Sequence, residues 1–368
     1  MRFGFTTGSC AAAASKAAAY MLLSGREQNS ISIETPGGKK YDACIEDIKR
    51  DGSSVSCAVR KDGGDDPDIT SGLLIYSKVS FSDRKDDTVF IEGGEGVGRV
   101  TKPGLDRPVG DAAINTVPRK MITDEVNSVR EMFDHEDSLL VTIYVPGGAE
   151  VAKKTFNPKL GIEGGISIIG TSGIVEPMSS KALLDTIRVE LNQRKALGFD
   201  YAAVAPGNYG RDFFSEKYGI DIDKSVKCSN FVGDMADIAS ELGFKEVLLV
   251  GHIGKLIKVA GGIMNTHSRE SDCRMEILSS LSLRHGVPAE GLLRILDCVS
   301  TEEAARIIAD YGRLDEVMSD AVSRICANLQ NRVKDKVTFE CILFSNDLGE
   351  LAVSKGAAAL IERIKEEG

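Results

Sequence analysis

At 368 residues the chain exceeds what one hydrophobic core usually serves, roughly 250–300 residues, so two domains are expected. Its composition, 42% hydrophobic and 27% charged with no Trp, is that of an ordinary globular protein, and a net charge of −10 disfavours nonspecific binding to nucleic acid or anionic membrane. No stretch approaches the roughly 18 apolar residues of a membrane span. The Cys residues at 10, 44, 57, 228, 273, 298, 326 and 341 form no CxxC pair and no Cys/His ligand spacing. They read as free thiols of a reducing compartment, the cytoplasm, and no metal site is expected.

The Ala-rich opening has the look of a signal peptide, but Ser15 and Lys16 interrupt its apolar run. A small-residue helix over 9–23, packed on a sheet, is expected instead. Alternating patterns separated by turn residues predict strands over 31–34, 41–48, 54–59, 73–81 and 88–91, and a further strand over 138–145 ending at Pro146-Gly147-Gly148. The result is a two-layer α+β domain with a mixed sheet over 1–190. A helix over 181–197 then opens a different rhythm. Strands over 201–205 and 246–250 alternate with helices over 233–242 and from 255, residues 270–335 are mainly helical, and a strand returns over 337–344. Strands alternating with helices predict a parallel sheet with crossovers, a Rossmann-like three-layer α/β domain over 191–368.

Two segments of this second half share one form, a buried strand running into a glycine turn that opens a helix. They are Tyr201 to Gly210, with Gly207, Asn208, Tyr209 and Gly210, and Val247 to Lys255, with Gly251, His252 and Gly254. In open α/β sheets ligands sit beyond the carboxyl ends of strands, where helix N-termini present unpaired N–H groups. The two loops would wall a nucleoside pocket, although each alone could be a tight turn and no more. Gly254-Lys255 also resembles the end of a phosphate-binding loop. That motif needs a hydroxyl residue at 256 and a Gly at 249, and Leu stands at both, so a small-molecule phosphotransferase is disfavoured.

Gly94, Gly96 and Gly98 follow a strand, as in a dinucleotide fingerprint. Arg99-Val-Thr-Lys-Pro103 cannot continue as the required helix, so a flexible loop with exposed backbone is expected. Arg99, Lys102, Arg107, Arg119 and Lys120 against Asp106 and Asp111, followed by Lys153, Lys154 and Lys159, place cations among Gly, Pro and Asn. A charge run is usually a solvated face, but cation-bearing loops also suit a polycarboxylate ligand. Thr6, Thr7 and Ser9 offer hydroxyls and amides to an anion at a helix start, or simply cap the helix. Asp65 and Asp66 could share a proton or act as a base, and His252 and His267 are candidate proton acceptors, each equally readable as structural.

Several strings together identify a family. GFTTGSCAAAA at 4–14, KDGGDDPD at 61–68, EGGEGVG at 92–98 with TKPGL at 101–105, and PRKMI at 118–122 resemble the CbiD family of cobalt-precorrin-5B C1-methyltransferases. The likeness continues through KTFNP at 154–158, GGISI at 164–168, PGNYG at 206–210, VGHIGK at 250–255 and GGIMNTHS at 261–268. Ser9, Gly63, Ser71 and Thr116 depart from the usual Thr, Ala, His and Pro. The resemblance implies an enzyme that uses S-adenosylmethionine to methylate a carbon of a corrin-ring precursor, a small-molecule polycarboxylate macrocycle, in cobalamin biosynthesis. On the residue reading, the loops at 204–210 and 250–255 are expected to hold the donor and those at 92–120 and 153–159 the macrocycle. Thr6, Thr7, Ser9, Arg99, Lys102, Arg119, Lys120, Lys154 and Asn157 would then serve the macrocycle. A non-enzymatic corrinoid carrier with the same basic pocket is the alternative, and the oligomeric state is left open.

Overall fold

A computed structural model describes residues 2–85, 88–177, 179–220 and 224–366, and all counts of elements refer to these. The chain divides into two compact units, Met1–Ser179 and Ser180–Gly368. Both are mixed α/β.

In the first unit the helix Thr7–Ser24 is buried on nearly every side, with Cys10 through Ala14 and Ala17 through Ala19 fully covered. Alanine has the best helix propensity, and its lack of bulk lets the helix backbone approach its neighbours. Thr6 caps the start by accepting the Ser9 N–H, and Gly25, at φ 69°, closes the end by donating to the Met21 carbonyl. The buried Ser15 hydroxyl donates to the Ala11 carbonyl at 2.7 Å and meets Ser77 Oγ at 2.9 Å, which satisfies it inside the core.

This helix packs on a five-stranded sheet ordered Glu46–Asp51, Ser54–Arg60, Leu74–Ser82, Ser138–Tyr144, Val89–Gly93. Its pairs are antiparallel except the last, Ser138–Tyr144 with Val89–Gly93, which is parallel. The expected single strand over 41–48 is two. Lys40–Cys44 forms a separate hairpin with Ser30–Glu34, and Glu46–Asp51 joins the main sheet through an irregular register at Asp47, φ 50°.

A second helix, Thr116–Met132, packs against the first where the sequence reading expected irregular cationic loop. Pro118 falls in its first turn, where no intrahelical N–H is required. The charges of Arg119 and Lys120 obscure the stripe of Met121, Ile122, Val126 and Val129 that it buries.

The second unit is built on a sheet ordered Ser225–Lys227, Tyr201–Ala205, Glu246–His252, Thr338–Ser345 and Gly349–Val353. All pairs are parallel except the last. Side chains alternate strictly between its faces. Ala202, Val204, Val247, Leu249, Cys341 and Leu343 enter one core, while Ala203, Leu248, Val250 and Ile342 enter another. Helices cover both: Ser180–Ala196, Val232–Glu241, Ile253–Ala260 and Leu314–Arg332 contribute to the first core, Asn208–Tyr218 and Ala357–Lys365 to the second. Burial on both faces explains why the strand reads as an uninterrupted apolar run rather than an alternation. The sequence reading stopped before the edge strand Gly349–Val353 and the helix Ala357–Lys365, although Ala357, Leu360, Ile361 and Ile364 have the spacing of one buried helix face.

Candidate functional site

The two glycine loops of the second unit meet. Tyr201–Ala205 and Glu246–His252 are neighbours in parallel register, Val204 opposite Leu249, so their carboxyl ends lie side by side. The helices Asn208–Tyr218 and Ile253–Ala260 begin there, and their first amides face the same end of the sheet.

Glycine is required at Gly210, because a Cβ would lie 2.7 Å from the Val250 carbonyl oxygen, and at Gly251, where it would lie 2.7 Å from the Leu256 side chain. At Gly207 the nearest atom to a Cβ would be Lys255 Nζ, 3.9 Å away, so the surface there is open. The Lys255 ammonium donates to the Pro206 carbonyl at 3.3 Å and ties the two loops together. Its pKa is lowered, chiefly by burial, with Cys228 acting against and Lys227 and Lys258 adding to the shift. Asn208 Oδ1 accepts from Lys227 at 2.9 Å, and Tyr209 projects into solvent, 72% exposed.

His252 has both ring nitrogens engaged. Nδ1 accepts the Gly254 N–H at 3.0 Å, capping the helix, and this assigns the proton to Nε2, which donates to Glu302 Oε1 at 2.7 Å. Glu302 also accepts from Ser345 Oγ and from the Asn346 N–H. Burial pushes its carboxyl up, but the bonds from Ser345 and His252 outweigh it and hold the pKa below the ordinary value. His252 thereby anchors its loop to the helix Thr301–Asp310 and to the end of the strand Thr338–Ser345.

His267 is exposed and lines an open cleft of about 270 Å³ with Lys255, Lys258 and Arg274, while Asn230, Gly254, Thr266 and Ser268 complete the wall. Sequence reasoning passed over Lys258, Arg274 and Asn230. The one available signal was the one-turn spacing of Lys255 and Lys258 on a helix opening from a glycine loop.

In the first unit the motif strings gather in one patch of short pairings. Gly96–Val97 pairs with Gly165–Ile166, Arg99–Val100 with Ile162–Glu163, and Ile114 bridges Ile168. The glycine loop is therefore not the exposed, flexible segment expected. Gly96 and Gly98 are buried, and a Cβ at Gly96 would lie 1.9 Å from the Val145 carbonyl oxygen.

Thr6, Thr7 and Ser9 are buried and bonded within the fold. Ser9 Oγ donates to the Gly173 carbonyl at 2.7 Å, and Thr7 Oγ1 accepts the Ile169 N–H at 2.9 Å. Asn157 likewise donates to the Gly165 carbonyl and accepts from Ser167. Half-buried Arg119 donates to the carbonyls of Ile114 and Ile91, with its pKa lowered chiefly by burial and then by Arg107. Arg99, Lys102, Lys120 and Lys154 are exposed.

Asp65 is exposed and accepts the Arg2 N–H at 2.6 Å, while Asp66 is half-buried. The buried charge of that turn is Lys61, paired with Asp68. No helix among the described residues is long and apolar enough to cross a membrane.

This geometry defines a mixed α/β protein with a glycine-walled, cation-lined site at the carboxyl end of a largely parallel sheet. Comparison with known proteins gives its family. The CbiD family model matches residues 1–177, and the model described as "CbiD, C-terminal domain" matches 265–355.

A protein of Alkaliphilus metalliredigens named Cobalt-precorrin-5B C(1)-methyltransferase is 48% identical over 100% of this chain and 96% of its own. One of the same name from Ruminiclostridium cellulolyticum is 45% identical over 100% of this chain and 95% of its own. A crystal structure described as cobalamin biosynthesis protein (cbiD) from Archaeoglobus fulgidus is 27% identical, covering 73% of this chain and 83% of that one, with a TM-score of 0.40. The chain belongs to the CbiD family.

Proposed function

We propose that the chain methylates cobalt-precorrin-5B at C1, giving cobalt-precorrin-6A in anaerobic cobalamin biosynthesis in the cytoplasm, with S-adenosylmethionine as the donor. The carrying observation is full-length relatedness, 48% identity from end to end, to a protein of that named activity.

Bound, the donor supplies an electrophilic methyl group on a sulfonium sulfur. In this reading the second unit is the Rossmann-like layer, and the loops bearing Gly207, Gly210, Gly251 and Gly254 hold the donor. The open surface over Gly207 and the helix amides beside it support that assignment. Arg99, Lys102, Lys120 and Lys154, exposed on the first unit, receive carboxylate arms of the macrocycle.

Methyl transfer from a sulfonium to an electron-rich ring carbon depends on alignment, and holding two reactants in near-attack geometry lowers a barrier by roughly 7–11 kcal/mol. His252, with Nδ1 accepting and Nε2 donating, keeps its loop in place rather than removing a proton.

The test is anaerobic incubation of the protein with methyl-labelled donor and cobalt-precorrin-5B. Label is expected in the ring, with one equivalent of S-adenosylhomocysteine formed. A protein that binds the precursor but leaves the label on the donor is a carrier, and the enzymatic reading is then wrong.

A further inference from the structure

The cleft beside the donor loops has a charge that the donor does not match. Lys255 and Lys258 stand one turn apart on the helix Ile253–Ala260, and Arg274 opens the helix Arg274–Arg284 across from them. Lys258 is 3% exposed. Its ammonium donates to the carbonyls of Ser271 at 2.7 Å and Thr266 at 3.3 Å, which fixes its position and leaves capacity for one more bond. Lys255 spends one donor on Pro206.

The acid near these groups is Asp272, which chelates Arg274 and lies 4.0 Å from Lys258 Nζ. Lys258 and Arg274 thus share one carboxylate, while Lys255 bonds the Pro206 carbonyl. Like charges held together with partial desolvation cost free energy unless an anion joins them; burial is the main cause that lowers the Lys255 pKa, and Lys227 and Lys258 add to it.

S-adenosylmethionine carries a sulfonium, an ammonium and one carboxylate, so its net charge is positive and a cationic cleft repels it on balance. The macrocycle carries acetate and propionate arms and is strongly negative. We propose that the Lys255–Lys258–Arg274 cleft is a carboxylate subsite for an arm of the ring substrate, so that the second unit grips the macrocycle as well as the donor. This rests on the methyltransferase reading above. Arg274 supplies the planar fork and Lys258 the fixed point charge, with Asn230 and Ser268 at the wall as further polar partners.

The full chain is titrated by calorimetry with cobyrinic acid, a corrin with free carboxylate arms, with its fully methylated ester, and with S-adenosylhomocysteine. The variants are Lys255→Gln, Arg274→Gln and Arg274→Lys. Each Gln variant is expected to weaken cobyrinic acid binding about tenfold, the loss of one charge-assisted contact, and to flatten its salt dependence. Arg274→Lys should recover part of the loss, the ester should not distinguish the proteins, and S-adenosylhomocysteine should bind wild type and both Arg274 variants within about twofold.

Unchanged cobyrinic acid affinity in a folded variant overturns the proposal. So does a loss that falls on S-adenosylhomocysteine instead, which would make the donor's own carboxylate the occupant. Either Gln variant alone decides the matter if the other fails to fold. A wild type that transfers methyl while its variants keep full corrin affinity sinks the cleft and leaves the function standing. A wild type that neither binds the corrin nor transfers methyl sinks both.

Discussion

Replacing Gly207 with alanine adds one methyl group to the open face of the proposed donor loop and little else. The residue has extended backbone, φ −169° and ψ 179°, which any amino acid adopts. The nearest atom to the new Cβ is Lys255 Nζ at 3.9 Å, an ordinary contact. Stability should therefore change by less than about 0.5 kcal/mol.

A ligand seated against that backbone meets the methyl directly. Crowding of this kind in a well-packed site costs about 1–3 kcal/mol, so the Kd for S-adenosylhomocysteine should rise at least about fivefold. The assay is isothermal titration, with differential scanning calorimetry as the control for folding. Gly210→Ala is the contrasting variant. Its Cβ would lie 2.7 Å from the Val250 carbonyl oxygen, so the melting temperature itself should fall, by about 2–4 °C for each kcal/mol lost. Should Gly207→Ala melt like wild type and bind S-adenosylhomocysteine equally tightly, the donor does not lie on this loop.

Other outcomes follow from buried contacts. Asp68→Asn strands the buried Lys61 ammonium and should cost about 3–5 kcal/mol in urea unfolding. Burial pushes the Asp68 carboxyl up, but Lys61 and Thr70 outweigh it and hold the pKa below the ordinary carboxylate range. The folded pKa is thus below the unfolded one, so this contribution is full at neutral pH and lost as pH falls through the folded value. The wild-type urea midpoint should drop in acid with a steeper slope than that of Asp68→Asn, and parallel slopes would contradict the pairing.

Glu302→Ala removes the acceptor of His252 Nε2, Ser345 Oγ and the Asn346 N–H, and a loss of about 2 kcal/mol is expected in the same assay. Hydrogen exchange at the Gly254 amide should quicken in that variant if His252 caps the helix as described. Gly96→Ala, at φ 72° with its Cβ 1.9 Å from the Val145 oxygen, should lose at least about 3 kcal/mol and collect in the insoluble fraction. Soluble protein at wild-type yield would refute the close approach.

Much was legible from residues alone wherever one local cause decided the outcome. The alanine run announces a buried helix, and Thr6 at its start is an N-cap, as the plainer of the two readings has it. The apolar run at 247–250 marks a strand covered on both faces, and the absence of a helix after Gly98 follows from Val100 and Pro103. The helix Thr116–Met132 escaped because its charges and its proline imitate a loop, and only its partner, the helix Thr7–Ser24, shows which face is buried.

Periodicity and turn chemistry report how each segment meets an apolar or a polar surrounding, and on that scale the amino-acid order was sufficient. Partnership across the fold is another matter, because it depends on strand register and helix docking that bring distant positions within a few ångströms. Only the tertiary structure joined His252 to Glu302, turned the hydroxyls of Thr7 and Ser9 inward onto the 169–173 segment, and set Arg274 beside Lys255 and Lys258. Hydrogen bonds and ion pairs act over about 3–4 Å, so a residue's chemical role is settled by what the fold places within that distance.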